Sequence, residues 1–151
     1  MRVRAGILLF SGSSVAMIRR VKRERTYYVV PGGGLLDGET TEEAAKREAL
    51  EELGISVGLE RLVAIVERVE RKSFTHVQFY YLATALSGTF GSGSGEEYGR
   101  SPRHGLYQPV WLPLDAAWRH RVYPKVVLDY LASSGLPNHT VHLHETTDFP
   151  H

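Results

Sequence analysis

The 151-residue chain contains no cysteine, and this absence removes several kinds of chemistry at once. Disulfides, zinc sites built from thiolates and cysteine nucleophiles are all excluded. A chain without cysteine fits a reducing compartment, so we expect a cytoplasmic protein. Long apolar runs are missing too. The run at residues 5–10 is shorter than the core of a usual secretory signal and predicts a strand, and nothing approaches the length of a membrane span.

An excess of either charge is also missing, because 18 basic side chains face 17 acidic ones. The formal net charge of +1 creates no field over the whole protein that would attract nucleic acid or an anionic membrane. We therefore expect neither a nucleic acid nor a membrane as a partner. Any recognition of phosphate must come from a local site.

Six stretches of the chain carry the apolar patterns of β-strands. They are Val3–Phe10, Val15–Arg20, Tyr27–Val30, Leu62–Val69, His76–Ala85 and Tyr107–Leu112. The first two are joined by Ser11–Ser14, which is typical of a hairpin turn. Strands alternating with two predicted helices indicate an α/β domain with a mixed sheet covered by helices. We place this domain at residues 1–136 and a polar, histidine-rich C-terminal tail at residues 137–151.

The clearer of the two predicted helices runs from Thr41 to Leu53. Thr40 and Glu43 have the spacing of a capping box, and Gly54 stands where a C-terminal glycine belongs. Pro124 opens a second, shorter helix. Its apolar face consists of Val127, Leu128 and Leu131.

Three glutamates crowd one side of the first helix. At about 100° per residue, Glu48, Glu51 and Glu52 fall within an arc of about 100°. The neighbouring apolar face is formed by Ala45, Ala49, Leu50 and Leu53. The three carboxylates repel one another, and Arg47 can offset only part of this repulsion, through Glu51 or Glu43. A divalent cation could neutralise them, and an all-oxygen site suits Mg²⁺, or Mn²⁺, rather than zinc.

A longer pattern separates this helix from an ordinary solvated acidic face. The pattern resembles the Nudix box, and the matching residues are Gly33, Glu39, Arg47, Glu48, Glu51, Glu52, Gly54 and Ile55. Its fixed positions make a chance match rare. One position is weaker, because Ala49 is small where the family usually has a larger aliphatic residue. A proline–glycine entry to the box and a late Trp111 before the last helix extend the resemblance.

The resemblance to the Nudix (MutT-like) hydrolases implies a fold and an activity. The fold would be an α/β/α sandwich around a central mixed sheet, in agreement with the predicted elements. The activity would be Mg²⁺-dependent hydrolysis of a phosphoanhydride bond. The substrate, and the expected small-molecule partner, would be a nucleoside diphosphate linked to another group, such as a nucleoside triphosphate or a nucleotide sugar. A homodimer is left open.

The resemblance also implies roles for individual residues. The three helix glutamates, Glu48, Glu51 and Glu52, would bind the metal together with the backbone carbonyl of Gly33. The pair formed by Glu39 and Arg47 would hold the loop and the helix together. A glycine-rich loop at residues 87–105 would supply a further ligand or a general base, for which the candidates are Glu96 and Glu97, with Glu97 preferred. Candidate phosphate contacts in the same loop are Arg100, Arg103 and His104.

One alternative concerns what the box does. A Nudix-like domain can sense a nucleotide without cleaving it, but such domains usually lose box carboxylates, and this box is complete.

The family pattern also bears on the substrate. The family associates a proline after the box with ADP-ribose and a tyrosine there with dinucleoside polyphosphates. The sequence has neither residue between Ile55 and Phe79, so both substrates lose support.

The remaining aromatic residues and histidines carry weaker predictions. Tyr80 and Tyr81 should point to opposite faces of the sheet, so at most one could stack on a base, and His76 is a minor candidate for the substrate side. Trp111 and Trp118 are interpreted as packing residues. The tail histidines form a loose tract of irregular spacing, for which we do not expect a metal role. They are His139, His142, His144 and His151.

Overall fold

The computed structural model describes residues 1–70, 74–93 and 105–146. Within these residues the chain forms nine strands, two α-helices and one 3₁₀ helix. The strands are β1 (Arg2–Ser11), β2 (Ser14–Lys22), β3 (Arg25–Val29), β4 (Gly32–Gly34), β5 (Ile55–Glu70), β6 (Phe74–Gly88), β7 (Leu106–Pro113), β8 (Val122–Tyr123) and β9 (Val141–His144). The helices are α1 (Thr41–Leu53), the 3₁₀ helix (Leu114–Arg119) and α2 (Lys125–Ser134).

The nine strands belong to one mixed sheet with β1 near its middle. The strand order is β8-β3-β2-β1-β6-β5-β9, with β4 pairing on β1 and β7 pairing on β2. The pairs β1–β6, β3–β8 and β5–β9 are parallel, whereas β1–β2, β1–β4, β2–β3, β2–β7 and β5–β6 are antiparallel. The predicted mixed sheet is therefore confirmed. The sheet brings the short glycine strand β4 beside the start of β1.

Side chains of β1 and β6 alternate between two hydrophobic cores, one on each face of the sheet. Ile7 and Tyr81 lie in the core that includes the buried alanines of α1, whereas Leu8 and Tyr80 lie in the core that includes α2. The period of two along a strand explains this division. The two helices thus cover opposite faces, as the predicted α/β/α sandwich requires.

Helix α1 has the bounds that its sequence predicts. The Thr40 side chain accepts a hydrogen bond from the Glu43 N–H, the Glu43 side chain accepts one from the Thr40 N–H, and Gly54 closes the helix with a positive φ of 76°. This left-handed conformation is accessible to glycine at little cost. The predicted apolar face was wrong at one position, because Leu50 is exposed. Ala44 is buried on the inner side of the helix instead.

Four further differences from the sequence-based expectations have physical causes. Strand β5 begins at Ile55, earlier than the predicted Leu62. The sequence did not predict its first half because three register shifts before Ala64 break the alternation of apolar and polar residues. The glycines of β4 pair with β1 although glycine is a poor strand former. Part of the predicted tail, Val141–His144, forms β9 at the edge of the sheet. Trp118 is exposed rather than packed, with the Arg119 guanidinium 5.3 Å from the centre of its ring.

Neither of the two α-helices in the described part of the chain is long and apolar enough to cross a membrane.

Candidate active site

The candidate active site forms where α1 lies against the glycines of β4. Gly33 pairs with Ala5 of β1 and faces the Glu48 carboxylate. A Cβ atom at Gly33 would stand 2.3 Å from the Glu48 Oε1, which is far inside normal contact distance. The absence of a side chain at Gly33 is therefore what allows the carboxylate to approach the backbone of β4.

The three predicted glutamates differ in their exposure. Glu48 and Glu52 retain only 8% and 7% of their accessible surface, whereas the Glu51 side chain is 41% exposed. The Glu52 Oε1 accepts a hydrogen bond of 2.8 Å from the Gly32 N–H. We call Gly33, Glu48, Glu51 and Glu52 the box site. It consists of two buried carboxylates beside a glycine backbone and a third carboxylate at the rim.

Arg47 ties the box site to the loop that precedes α1. Its Nε and one terminal nitrogen donate to the two Glu39 carboxylate oxygens at 2.7 and 3.0 Å. The other terminal nitrogen donates to Glu48 at 2.8 Å and to Glu51 at 3.3 Å. The Gly34 carbonyl accepts a further bond of 3.0 Å. The salt bridge implied by the resemblance is present. Glu43, the other acid weighed as a partner for Arg47, accepts instead from the Thr40 N–H.

The electrostatics of the site follow from this arrangement. The Arg47 hydrogen bonds hold the pKa of the Glu39 carboxyl below its usual value, and the same contact raises the pKa of Arg47. Arg47 therefore stays charged at any ordinary pH. Three carboxylates, those of Glu39, Glu48 and Glu51, contact this one guanidinium, and Glu52 adds a fourth carboxylate to the site. The five side chains together carry three formal negative charges when all are ionised.

A segment after β6 closes the C-terminal end of α1. The Gly91 N–H donates to the Leu53 carbonyl at 2.9 Å, and Gly93 lies against the backbone of Glu51 and Glu52. A Cβ at Gly93 would stand 2.4 Å from the Glu51 carbonyl oxygen. The predicted loop residues Glu96, Glu97, Arg100, Arg103 and His104 lie outside the described residues.

A small cavity, about 290 Å³ when the solvent at its open mouth is included, lies on the other side of Gly32. Its lining includes Arg4, Val29, Arg68, Gln78, Tyr80, Tyr123, Pro124 and Glu145. Arg4 donates to the Gly32 carbonyl at 3.1 Å, and the N–H of the same glycine donates to Glu52. The cavity and the box site are therefore neighbours connected through one residue.

Sequence reasoning missed this cavity because its lining comes from separate parts of the chain. Arg4, Gln78 and Tyr80 share one face of β1 and β6, and Glu145 follows β9. Glu145 accepts a 2.6 Å hydrogen bond from the Lys125 N–H at the start of α2. Burial raises the pKa of the Tyr80 hydroxyl to about 12, so it remains protonated and donates to Gln78. A short sequence motif cannot predict a cavity that is assembled from such distant residues.

The structure also places the weaker candidates. Tyr80 and Tyr81 do point to opposite faces, and the Tyr81 hydroxyl lies 2.7 Å from that of Thr41, at the start of α1. His76 is buried on β6 and is not among the residues that line the cavity. Trp111 is partly exposed and stacks on Phe90 with ring centres 4.5 Å apart. Of the two tyrosines, Tyr80 is thus the one that lines the cavity beside the box site, where Tyr123 also lies.

Comparison with known proteins agrees with this geometry. A family model described as the NUDIX domain matches residues 1–130. The crystal structure of a MutT NUDIX hydrolase from Burkholderia pseudomallei is 29% identical, with a TM-score of 0.57, and the match covers 76% of this chain and 84% of that chain. The MutT protein from Bacillus halodurans shares the fold with a TM-score of 0.69 at 22% identity, over 94% of this chain and 90% of that chain.

A curated relative resembles a smaller part of the chain. The RNA pyrophosphohydrolase of Wolbachia pipientis wMel is 45% identical over 49 residues, which are 32% of this chain and 30% of the relative's length. The family model, in contrast, extends over most of the chain and includes every residue of the box site. The chain therefore belongs to the NUDIX family of pyrophosphate-bond hydrolases.

Proposed function

We propose that this protein hydrolyses a phosphoanhydride bond of a nucleoside diphosphate linked to another group, with Mg²⁺ held at the box site. One observation carries the proposal. Two buried carboxylates, Glu48 and Glu52, converge beside the backbone of β4, and the nearby Arg47 guanidinium is shared among three acids. Buried anions need a counter-charge, and the excess negative charge favours a divalent cation.

The donor set fits a hard cation. Carboxylate oxygens of Glu48, Glu51 and Glu52 and the Gly33 carbonyl would supply the protein ligands for Mg²⁺, with Mn²⁺ as the alternative. The exposure of Glu51 leaves that side open to water and to substrate phosphates. The bound cation would neutralise charge on the diphosphate and favour ionisation of the attacking water.

The protein's own residues position the reaction and move the proton. Arg47 holds the helix against the preceding loop through Glu39 and Gly34, which keeps the glutamate carboxylates of α1 beside β4. The Gly32 N–H fixes one oxygen of Glu52. A carboxylate of the box site, or Glu97 from the following loop, accepts the proton of the attacking water. Because Glu48 and Glu52 are buried, bulk water has little access to their carboxylates and competes less with them as a ligand of the cation.

The polar lining of the cavity beside Gly32 offers contacts for the nucleoside part of the substrate. As it stands, the cavity has about 20 Å³ of room for water-sized groups, so its lining side chains would have to move apart to admit a nucleoside. Arg4, Gln78 and Glu145 offer hydrogen-bonding groups there, and the Arg4 Nε is buried with no hydrogen-bond partner among the residues that the structure describes. A nucleoside in the cavity would place its phosphates toward Gly32 and the box site. Nucleoside triphosphates and nucleotide sugars are the substrate classes that we propose.

A substrate panel tests this function. The purified protein with Mg²⁺ should release phosphate or pyrophosphate from a nucleoside triphosphate, or should split a nucleotide sugar into a nucleoside monophosphate and a sugar phosphate. Inorganic tripolyphosphate, which lacks a nucleoside, is the matched poor substrate. A triphosphate-bearing RNA oligonucleotide belongs in the panel because of the RNA pyrophosphohydrolase likeness. Excess EDTA should abolish turnover. Full turnover in EDTA would contradict the metal proposal, and nucleotide binding without cleavage would support the sensor alternative.

Glu97 requires a separate test. A Glu96→Ala/Glu97→Ala double variant should lose turnover if the loop supplies a ligand or the base, and full kcat would exclude that role. Binding of Mg²⁺ at the box site should survive in either case, because the box glutamates remain.

A further inference from the structure

A second group of metal-ligating side chains lies at the edge of the sheet. Glu67 of β5 and His142 and His144 of β9 bring a carboxylate oxygen and two ring nitrogens to within 4.8 Å of one another. We call these three residues the edge cluster. We propose that the edge cluster binds a transition-metal ion such as Zn²⁺, separately from the Mg²⁺ of the box site.

The strand pattern explains why the two histidines face the same way. Val141 and Leu143 pack against the hydrophobic core on the α2 side, so the alternate residues His142 and His144 point to the opposite face. Glu67 is the register partner of His144 on the parallel neighbour β5. Its carboxylate reaches both rings, with one oxygen 3.4 Å from the His142 Nε2 and the other 4.0 Å from the His144 Nδ1.

The backbone of β9 is anchored on both sides of the histidines. The Thr140 hydroxyl donates to the Leu62 carbonyl at 2.8 Å, and the Glu145 N–H donates to the Glu67 carbonyl at 2.8 Å. The His142 and His144 side chains, in contrast, are 54% and 69% exposed. Because the backbone is fixed and the side chains are exposed, rotation about side-chain bonds is enough to bring the ligands to about 3.4 Å from each other, the separation in a tetrahedral zinc site.

The donor set decides which ion fits. Two imidazoles and one carboxylate are the ligands of a well-known class of zinc sites, and imidazole nitrogens favour Zn²⁺, Co²⁺, Ni²⁺ or Cu²⁺ over Mg²⁺. The exposure of the cluster leaves a fourth position open to water. An ion held there links β9 to β5, and it therefore stabilises the strand that precedes the cavity residue Glu145.

The two sites cannot share an ion. The strand order β4-β1-β6-β5-β9 separates the glycine strand from Glu67 by three strand spacings and from the two histidines by four, or about 14 and 19 Å. Binding at the edge cluster therefore does not rest on the proposed hydrolysis, and either proposal can fail alone.

Titration of the full chain with Zn²⁺, in excess Mg²⁺ to occupy the box site, tests the proposal. The wild-type protein should bind Zn²⁺ in calorimetry, show the visible absorption of nitrogen-ligated Co²⁺, and melt at a higher temperature when Zn²⁺ is present. His142→Gln/His144→Gln should lower the Zn²⁺ affinity by roughly tenfold or more, since loss of even a supporting group beyond the ligands costs that much. Glu67→Gln should weaken binding as well.

His139→Gln is the matched control, because His139 is an exposed histidine of the same segment that lies outside the cluster. Its Zn²⁺ affinity and its Co²⁺ spectrum should equal those of the wild-type protein. The proposal is overturned if the wild-type protein binds no Zn²⁺, or if the double histidine variant binds as tightly as His139→Gln. Loss of the Co²⁺ spectrum in Glu52→Gln would also overturn it, since the ion would then lie in the box site.

Discussion

The box site and the edge cluster both gather metal-binding side chains, but they differ in burial, donor type and support. The box site offers carboxylate and carbonyl oxygens, and Glu48 and Glu52 are almost fully buried. The edge cluster mixes two imidazoles with one carboxylate, and its side chains are largely exposed. Arg47 braces the carboxylates of the box site, whereas only the backbone of β9 is braced at the edge.

This difference shows how one sheet can hold two sites with separate chemistry. Buried carboxylates repel one another, so the free energy of the box site depends on the cation that neutralises it. The edge cluster contains one carboxylate and therefore little negative charge to neutralise. Its affinity for a metal ion comes from the strength of imidazole as a ligand. A hard ion and a borderline ion can therefore be sorted between the two sites by donor type. Substitutions at the box site should therefore affect turnover most.

Loss of one buried carboxylate should have the largest effect. Glu52→Gln should reduce kcat by about 10²–10⁴-fold, the scale expected for a positioned acid–base or metal-activating group. The glutamine Oε1 can still accept from the Gly32 N–H, so the fold should survive, and stability without metal should rise as repulsion falls. Glu42→Gln, on the exposed first turn of α1, is the matched control and should keep its kcat. A loss below about threefold in Glu52→Gln would remove α1 from the active site.

A smaller effect should follow from filling the space between β4 and α1. Gly33→Ala would place its Cβ 2.3 Å from the Glu48 Oε1, so the carboxylate must move. The obstructing atom is the end of a flexible side chain, and the fold should tolerate the change with little shift in Tm. The displaced ligand should lower kcat/KM by about 10–100-fold, as expected for misplacement by about an ångström.

Gly34→Ala provides the control for this change, because the nearest atom to its added Cβ is the Val3 carbonyl oxygen at 4.0 Å. It should keep both kcat/KM and Tm near those of the wild-type protein. Equal activities of the two alanine variants would show that the approach of Glu48 to Gly33 does not matter for turnover. Equal losses would point to the glycine strand as a whole.

The sequence predicted the box site better than the rest of the molecule because its signals are local. Thr40, Glu43 and Gly54 mark the ends of α1 within the chain itself, and Arg47 reaches its partners from the same segment. The family pattern then attached metal roles to the glutamates. The apolar face was less predictable, since only the contact with the sheet decides that Leu50 is exposed and Ala44 is buried.

The cavity and the edge cluster could not be predicted in the same way, because both depend on pairing between distant strands. Arg4 and Gln78 meet through the β1–β6 register, and Glu67 and His144 meet through the β5–β9 register. One signal was present: Val141 and Leu143 alternate with the two histidines, which is typical of a half-buried strand. The polar composition of the segment concealed it.

The smallest expected effect concerns the salt bridge between Glu39 and Arg47, and it depends on pH. Arg47 donates to Glu39 and holds the pKa of that carboxyl below its usual value of 4.5, so the folded state binds fewer protons than the unfolded state near this pH. The contribution of the Glu39 charge to stability is therefore complete above pH 4.5 and is lost as the pH falls through the folded-state pKa. Glu39→Gln should lower the free energy of unfolding at pH 7 by about 1 kcal/mol, the upper range for a partly exposed ion pair.

The difference between the wild-type protein and Glu39→Gln should shrink as denaturant unfolding is repeated at successively lower pH below 4.5. Glu24→Gln, an exposed carboxylate in the turn between β2 and β3, should show no comparable loss at pH 7. A Glu39→Gln deficit that stays constant through the acid range would assign the effect to altered hydrogen bonding with Arg47 and Leu36 rather than to charge. Arg47 would then support the box site through the positions of its hydrogen bonds, and the ionisation of Glu39 would not contribute to the stability of the protein.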